Sequence, residues 1–392
     1  MMRALVFGEA EDEGGLPLSL LELDDPQLFG PDWVHVKTRM TGICGSDSKQ
    51  ILMDFGDGDP SDNAMTALIS FPQILGHEVV GTVVGTGERV VLNPWLSCAP
   101  RGIDPLCPAC EAGDLSLCWN FTEGALAPGI HTGNSKDAPG GFGELVPAHR
   151  SMLIPVPDSI PDEVAVLADP FSVALHAVTR TPPPPGGKAV VHGAGALGTC
   201  AVAILRALHP DVDVLSIARF PVQAELARSM GATVIDHDPP EAVISQIAEW
   251  AGSPLRKPWL GRDFAYPGHV DVVYDTIGSP LTVEIAIRVI ASRGAIVELG
   301  VNPPGRFEWT PLYFKEARLV GSNAFGIEEV EGKRQHAMAH YFDLVEAGRV
   351  DVSAMLTHTF PLEKWRDAFG AVADQATSGA LKVAFDLRDG NG

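Results

Sequence analysis

Basic residues are scarce in this chain. Its 392 residues hold 28 Lys and Arg against 50 Asp and Glu, a formal net charge of −22. Such a balance repels phosphate backbones and anionic lipid, which excludes nonspecific binding to nucleic acid or membrane. Any anionic ligand must be held by a local cluster of donors. Long apolar runs are lacking as well: the stretch from Ala194 to Leu205 stops at Arg206 and is too short to cross a bilayer. The opening residues, MMRALVFGEAEDEGG, turn acidic before an apolar segment of signal length develops. Repeats and low-complexity tracts are absent. Disulfides are not expected among only six cysteines, because intracellular enzymes of this size rarely carry them. The expectation is a soluble cytoplasmic protein with reduced thiols. With 45% hydrophobic residues it can build two domains around a sizeable core.

What cysteine there is, is concentrated. SCAPRGIDPLCPACEAGDLSLC carries Cys98, Cys107, Cys110 and Cys118. Cys107 and Cys110 form a C-x2-C pair, and thiolates at such spacing in a Pro- and Gly-rich loop can close a tetrahedral zinc site. A pair of disulfides is the competing reading. Cys200, in a later apolar helix, reads as a small packed residue.

Texture changes along the chain. The first 150 residues are short apolar runs broken by Gly and Pro, such as HEVVGTVVGTGERVVL, and predict a twisted β-rich domain. After TPPPPGGK (181–188), strands and helices alternate. KAVVHG, VDVLSIA, VDVVYDTIG, AIVELG and ARLVGS read as strands, and ALGTCAVAILRAL and PVQAELARSMGA as helices. Alternating βαβ units predict a parallel sheet covered on both faces. The tail predicts a helix near residues 335–347, a turn at FPLEKWRDAF and a strand at LKVAFDL. The stretch 253–269 is long for a connection within such a sheet; it reads as a surface excursion, with a lid or subunit contact as the alternative.

HGAGALG supplies Gly193, Gly195 and Gly198 in a G-x-G-x-x-G pattern between a buried strand and a helix, with Ala196 and Leu197 in the first turn. There a pyrophosphate can meet backbone N–H groups at the positive helix end. An NAD site usually has Asp or Glu about 20 residues on, to accept from the ribose hydroxyls. This chain has Ala218 followed by Arg219. A small residue beside a guanidinium accommodates a 2′-phosphate, so NADP is expected over NAD.

Cys44 in GICGSD, His77 and Glu78 in LGHEVVG, and Asp169 in LADPFSVALHA offer thiolate, imidazole and carboxylate, a donor set that suits zinc with one open position. Their separation in sequence leaves convergence undecided at this level.

Gly42 to Asp47, Gly76-His77-Glu78, the cysteine lobe, Asp169-Pro170 and the glycine loop occur in an order that resembles the zinc-dependent medium-chain dehydrogenase/reductase family, the alcohol dehydrogenase superfamily. The resemblance covers nearly the full length and is nearest to polyol, threonine and secondary-alcohol dehydrogenases. It implies an α/β architecture: a GroES-like β-rich catalytic domain over 1–174, a Rossmann doubly wound parallel sheet over 175–322, and a return to the catalytic domain over 323–392. It implies two zinc ions per chain, one closed site on Cys98, Cys107, Cys110 and Cys118, and one catalytic site on Cys44, His77 and Asp169 with Glu78 nearby. It further implies that Ser46 begins a proton relay, that Asp47 orients His77 or Ser46, and that the chain forms a homodimer or homotetramer. The implied reaction is hydride transfer between a nicotinamide cofactor and a small-molecule secondary alcohol, polyol, or the matching ketone or aldehyde.

Two positions depart from the family pattern. Eight residues, Ala99 to Leu106, separate Cys98 from Cys107, and Asp104 is an alternative first ligand. Lys49 stands where the relay often ends in histidine, and reads as a surface lysine. Cleft residues are expected within 53–70 and around Trp95, Phe121 and Phe325. The competing functions are a zinc-free quinone or enoyl reductase, which would not need Cys44, His77 and Asp169 together, and a non-catalytic dinucleotide-binding relative, which should have lost ligands.

Overall fold

The computed structural model describes residues 1–8, 17–51, 64–302 and 305–388. Two compact units emerge: residues 1–169, 325–347 and 355–392 form one, and residues 170–324 and 348–354 the other. The first break thus falls within the helix Ala168–Arg180 rather than after residue 174. A short return, 348–354, belongs to the second unit although the linear reading placed it in the first.

The first unit is built on a seven-stranded sheet. Its path runs Leu356–Phe360, Lys382–Asp386, Trp33–Gly42, Glu78–Val83, Arg89–Leu92, Leu153–Pro155, with Leu145–His149 also pairing Trp33–Gly42. Alternating Val and polar residues decide which face each strand buries: Val36, Val79, Val83, Val90 and Val146 meet in one apolar cluster. A second cluster packs Phe142 edge-on against Phe385, at 5.1 Å and 87°, together with Trp365, Leu5 and Leu18. FPLEKWRDAF, expected to be a turn, continues into the helix Trp365–Ala373, because Trp365 and Ala368 are buried on one helical face. Two register facts position the site. Gly42 sits opposite Glu78, and Ala384 sits opposite Gly42, so three distant strands meet at one level of the sheet. A Cβ on Gly42 would lie 1.9 Å from Glu78 Oε2, so only glycine leaves room for that carboxylate.

The second unit carries a six-stranded sheet, all parallel, ordered Thr233–Asp236, Asp213–Ala218, Lys188–His192, Val270–Asp275, Ile290–Glu298, Arg318–Gly321. The spatial order reverses direction between Lys188–His192 and Val270–Asp275, and a doubly wound sheet binds ligands at the carboxyl ends of its strands there. Gly193 follows the first of these strands. Helices cap as their sequences ask: Ser279 accepts from Thr282 N before Pro280–Val289, and Gly252 ends Pro240–Ala251 in the left-handed region. Within 253–269, Leu255–Arg256 and Phe264–Ala265 pair as a small antiparallel ribbon, with Trp259 and Leu260 almost fully exposed at its tip. No helix among the described residues is long and apolar enough to cross a membrane.

Candidate metal centre and cofactor loop

The strand Trp33–Gly42 ends by delivering Cys44 to the start of the short helix Gly45–Ile51, and the strand Glu78–Val83 begins beside it. One donor atom each from Cys44, His77 and Glu78 lies within 4.8 Å of the others. Asp169 is not part of that cluster, although it is buried and within electrostatic reach of His77 and Glu78. Two carboxylate oxygens there lack hydrogen-bond partners while fully buried: Glu78 Oε2 and Asp169 Oδ2. Buried lone pairs without donors are costly, and a cation among them removes the penalty. This donor set therefore fits a zinc ion.

The surrounding charges are arranged for that load. Asp47 accepts from Cys44 N at 2.9 Å and faces His77 Nδ1 across 3.6 Å, too far for a hydrogen bond. Burial opposes charge on both, yet His77 holds Asp47 below the usual carboxylate range, while Asp47 and Cys44 raise His77. Burial pushes Asp169 up to about 7, with Glu78 adding to the rise. Lys382 Nζ donates to Glu78 Oε1 and, at 3.1 Å, to Ile43 O. Ser46 is exposed, and Lys49 is half-buried on the same helix.

Cys98, Cys107, Cys110 and Cys118 form the second cluster, all buried, with their sulfurs within 4.8 Å of one another. Cys98 and Cys118 are 3.6 Å apart, and Cys107 and Cys118 3.9 Å. A disulfide needs about 2.05 Å, whereas tetrahedral zinc bonds near 2.3 Å put sulfurs about 3.8 Å apart. Backbone N–H groups of Cys107, Trp119 and Asn120 point at sulfur, at 3.4, 3.5 and 3.4 Å. Burial raises Cys110 to about 11; it acts on Cys107 too, but donors led by Trp119 N bring that thiol down to about 7. Asp104 is exposed and outside the cluster, while Cys98 is inside it.

In the glycine loop, Gly193 has φ +94°, and a Cβ on Gly198 would lie 1.8 Å from Gly193 O. Gly195, the residue before the helix Ala196–Leu208, has nothing within 4 Å of where its Cβ would stand. The N–H groups of Ala196, Leu197 and Gly198 have no acceptor within the helix. Ala218 ends its strand buried, and Arg219 is exposed, its guanidinium over the Phe220 ring at 5.2 Å.

Residues 30–158 match the alcohol dehydrogenase GroES-like domain and residues 196–339 the zinc-binding dehydrogenase family, together more than half of the chain. The chain belongs to the zinc-dependent alcohol dehydrogenase superfamily. It is a nicotinamide-dependent oxidoreductase that uses zinc and acts on small-molecule alcohols. D-arabinitol dehydrogenase 1 of Uromyces fabae is 26% identical to it, over 98% of this chain and 96% of that protein. (R,R)-butanediol dehydrogenase of Saccharomyces cerevisiae is 28% identical, over 84% and 85%. The crystal structure of 2R,3R-butanediol dehydrogenase from Bacillus subtilis shares the fold, with a TM-score of 0.73 at 22% identity over 99% of this chain and 100% of that one.

Several residues of the dehydrogenase's site carried no sequence signal. Lys382 lies 304 residues from Glu78 in the chain. Arg101, inside the stretch that separates Cys98 from Cys107, spends all five of its N–H donors on carbonyls of Leu96, Glu123, Leu126, Ala127 and Gly129. Asp236 stands in register with Ala218, its carboxylate taken by His237 N and Nδ1 at 2.7 and 2.9 Å. His131 packs against His77 with ring centroids 4.7 Å apart, and burial lowers it to about 4, a neutral imidazole. Of the expected cleft residues, 53–63 lie outside the described residues. Trp95 and Phe325 are in contact with each other, and Phe121 is buried.

Proposed function

We propose that this dehydrogenase interconverts a secondary alcohol or polyol with its ketone or aldehyde, prefers NADP(H), and holds two zinc ions per chain. The observation that carries the reading is the meeting of Cys44, His77 and Glu78 around unpartnered buried donor atoms. Cys44 and His77 would hold the catalytic zinc, with Asp169 and Glu78 as the carboxylates that complete its surroundings. Zinc there would lower the pKa of a bound hydroxyl and polarise a bound carbonyl. Asp47 fixes the Cys44 backbone and faces His77, so it orients both. Lys382 balances the buried charge of Glu78, which would otherwise stand uncompensated. Ser46, exposed beside Cys44, would take the substrate proton toward solvent.

Cys98, Cys107, Cys110 and Cys118 would hold the second zinc in a closed site, which organises the lobe and has no open position for substrate. Gly193, Gly195, Ala196, Leu197 and Gly198 would cradle the cofactor pyrophosphate. Support for NADP(H) comes from the strand end at Ala218, which lacks a carboxylate, and from the exposed guanidinium of Arg219. Asp236 is next to it but engaged by His237. We place the protein in the cytoplasm as a homodimer or homotetramer. The association is supported by the open sheet edge Arg318–Gly321 and by exposed Trp309, Tyr313 and Phe314 in the element before it.

Steady-state oxidation of a panel of secondary alcohols and polyols, with each cofactor, tests the reading. Turnover with kcat/KM higher for NADP than for NAD is expected, and Cys44→Ser should abolish turnover while cofactor still binds. Equal turnover by Cys44→Ser would remove the assigned metal centre, and a strong NAD preference would remove the Arg219 assignment.

A further inference from the structure

The stretch 253–269 holds apolar side chains in water on a rigid base. Leu255 pairs with Ala265 and Arg256 with Phe264, and Tyr266 N donates to Pro254 O at 3.1 Å. Arg262 ties the ribbon to the helices beside it: Nε meets Glu241 at 2.8 Å and Nη1 meets Glu284 at 3.2 Å. Arg288 in turn donates to Arg262 O at 2.6 Å. On that base Leu260 is 91% exposed and Trp259 103%, the most exposed large apolar side chain among the described residues. A fixed loop that presents an indole to solvent adds little to its own fold, but it is a pre-ordered anchor for another surface.

The apolar surface continues beyond the ribbon. Leu260 and Phe314 line one cavity of about 960 Å³, together with Pro258, Phe264, Tyr266 and Pro311. Tyr313 packs edge-on against Phe314 at 5.4 Å, and Trp309 precedes Tyr313 by four residues, one helical turn. Trp309, Tyr313 and Phe314 are 64 to 75% exposed. Aromatic side chains present about 150–250 Å² each, so with Trp259 and Leu260 these residues offer roughly 700 Å². Each side of a standard protein interface buries about 800 Å².

Three observations choose the occupant. The surface runs on from Phe314 to the sheet edge Arg318–Gly321, which among the described residues has no strand on its outer side. Such an edge is satisfied by another strand and not by lipid. The whole chain carries −22, so two copies repel over most of their surface. Residues 253–269, however, hold Arg256, Lys257 and Arg262 against Asp263 alone, so an acidic copy can approach there. Finally, a projecting tip and a cavity lie side by side, as a twofold contact requires, because each of its residue pairs occurs twice.

We propose that the ribbon 253–269 is a dimerisation arm: Trp259 of one copy seats in the cavity beside Phe314 of a second copy of this chain, and the reverse. The inference rests on the homo-oligomer reading above and names the segment that makes the contact.

The test follows the labelled full chain by sedimentation velocity from nanomolar to micromolar concentration, as wild type, Trp259→Ala, Phe314→Ala and Trp119→Ala. Trp119 is an exposed tryptophan of the other unit and serves as the control. Trp259→Ala and Phe314→Ala should each raise the dissociation constant at least about 30-fold, the loss expected for a central aromatic anchor. Trp119→Ala should leave it unchanged. Mixing Trp259→Ala with Phe314→Ala is the decisive measurement. The mixed dimer keeps one of the two contacts whole, so the mixture should associate more tightly than either variant alone. No gain on mixing, an equal effect of Trp119→Ala, or a wild-type dissociation constant in Trp259→Ala overturns the arm, while an associating wild type leaves the oligomer reading standing. A wild type that stays monomeric overturns both; its cosedimentation with anionic vesicles, lost in Trp259→Ala, would make the tip a lipid contact instead. The far-UV spectrum of Trp259→Ala should match wild type, and a lost fold would make the tip an internal support and overturn the proposal as well.

Discussion

Gly195→Ala separates cofactor recognition from folding. The backbone at Gly195 is extended, φ −72° and ψ −163°, which alanine adopts freely, and its Cβ would meet no protein atom within 4 Å. Replacing glycine by alanine before the first helical turn costs about 0.5–1 kcal/mol, a fall in Tm of about 2–4 °C at most for a unit of this size. The new methyl group would, however, stand on the ground where a pyrophosphate must approach the N–H groups of Ala196, Leu197 and Gly198. Weakening two charge-assisted hydrogen bonds of about 1.5 kcal/mol each costs about 3 kcal/mol, or roughly 100-fold in Kd. Gly198→Ala behaves differently, because its Cβ would overlap Gly193 O at 1.8 Å; stability and binding should fall together. Fluorescence titration with NADPH and calorimetric Tm distinguish the two. If Gly195→Ala binds NADPH with the wild-type Kd, the loop is not the phosphate cradle.

Other outcomes follow from the same geometry. Plasma emission analysis should find two zinc ions per chain, and Cys107→Ser should lose one of them; a single zinc in the wild type would leave one cluster without its ion. Arg101→Met strands five backbone carbonyls in the cysteine lobe and should lower stability by about 3–5 kcal/mol in denaturant titration; a loss under 1 kcal/mol would show that other contacts hold the loop. Burial and the neighbouring Asp275 raise Glu298 to about 8, above its unfolded value of 4.5. The folded chain then binds the extra proton between these values, so stability from this group is present below pH 4.5 and is lost as pH rises to about 8. Glu298→Gln should therefore gain Tm relative to wild type between pH 5 and pH 8.5, and a constant difference would refute the shift.

Local patterns carried the second unit well. The strand at 188–192, the glycine turn and the helix that follows are all short-range features, and βαβ alternation dictates the parallel sheet. The strand Thr233–Asp236 and the helices Pro240–Ala251 and Pro280–Val289 were not legible, because a strand of four residues between turns, and apolar helices next to apolar strands, leave no clear period. In the site, Cys44 and His77 were legible from their motifs, but which carboxylate joins them is decided by sheet register. Asp169 has the motif, and Glu78 has the position opposite Gly42. Lys382 was hidden for a different reason: a lysine in LKVAFDL reads as a solvated end of a strand, and only the pairing of that strand with Trp33–Gly42 buries it. Arg101 lies among the eight residues that separate Cys98 from Cys107, a stretch with no motif of its own, yet its guanidinium is what anchors the lobe.

The bond between Glu78 and Lys382 has a consequence for the timing of assembly. During synthesis Glu78 emerges 304 residues before its counter-charge, and the strand Lys382–Asp386 takes its place between two strands already made, Trp33–Gly42 and Leu356–Phe360. Until that strand arrives, the sheet has a gap and the carboxylate has no cation. The candidate metal centre is therefore completed only once that strand has left the ribosome, and a nascent chain stalled before it would carry every candidate ligand without the charge balance that lets them be buried.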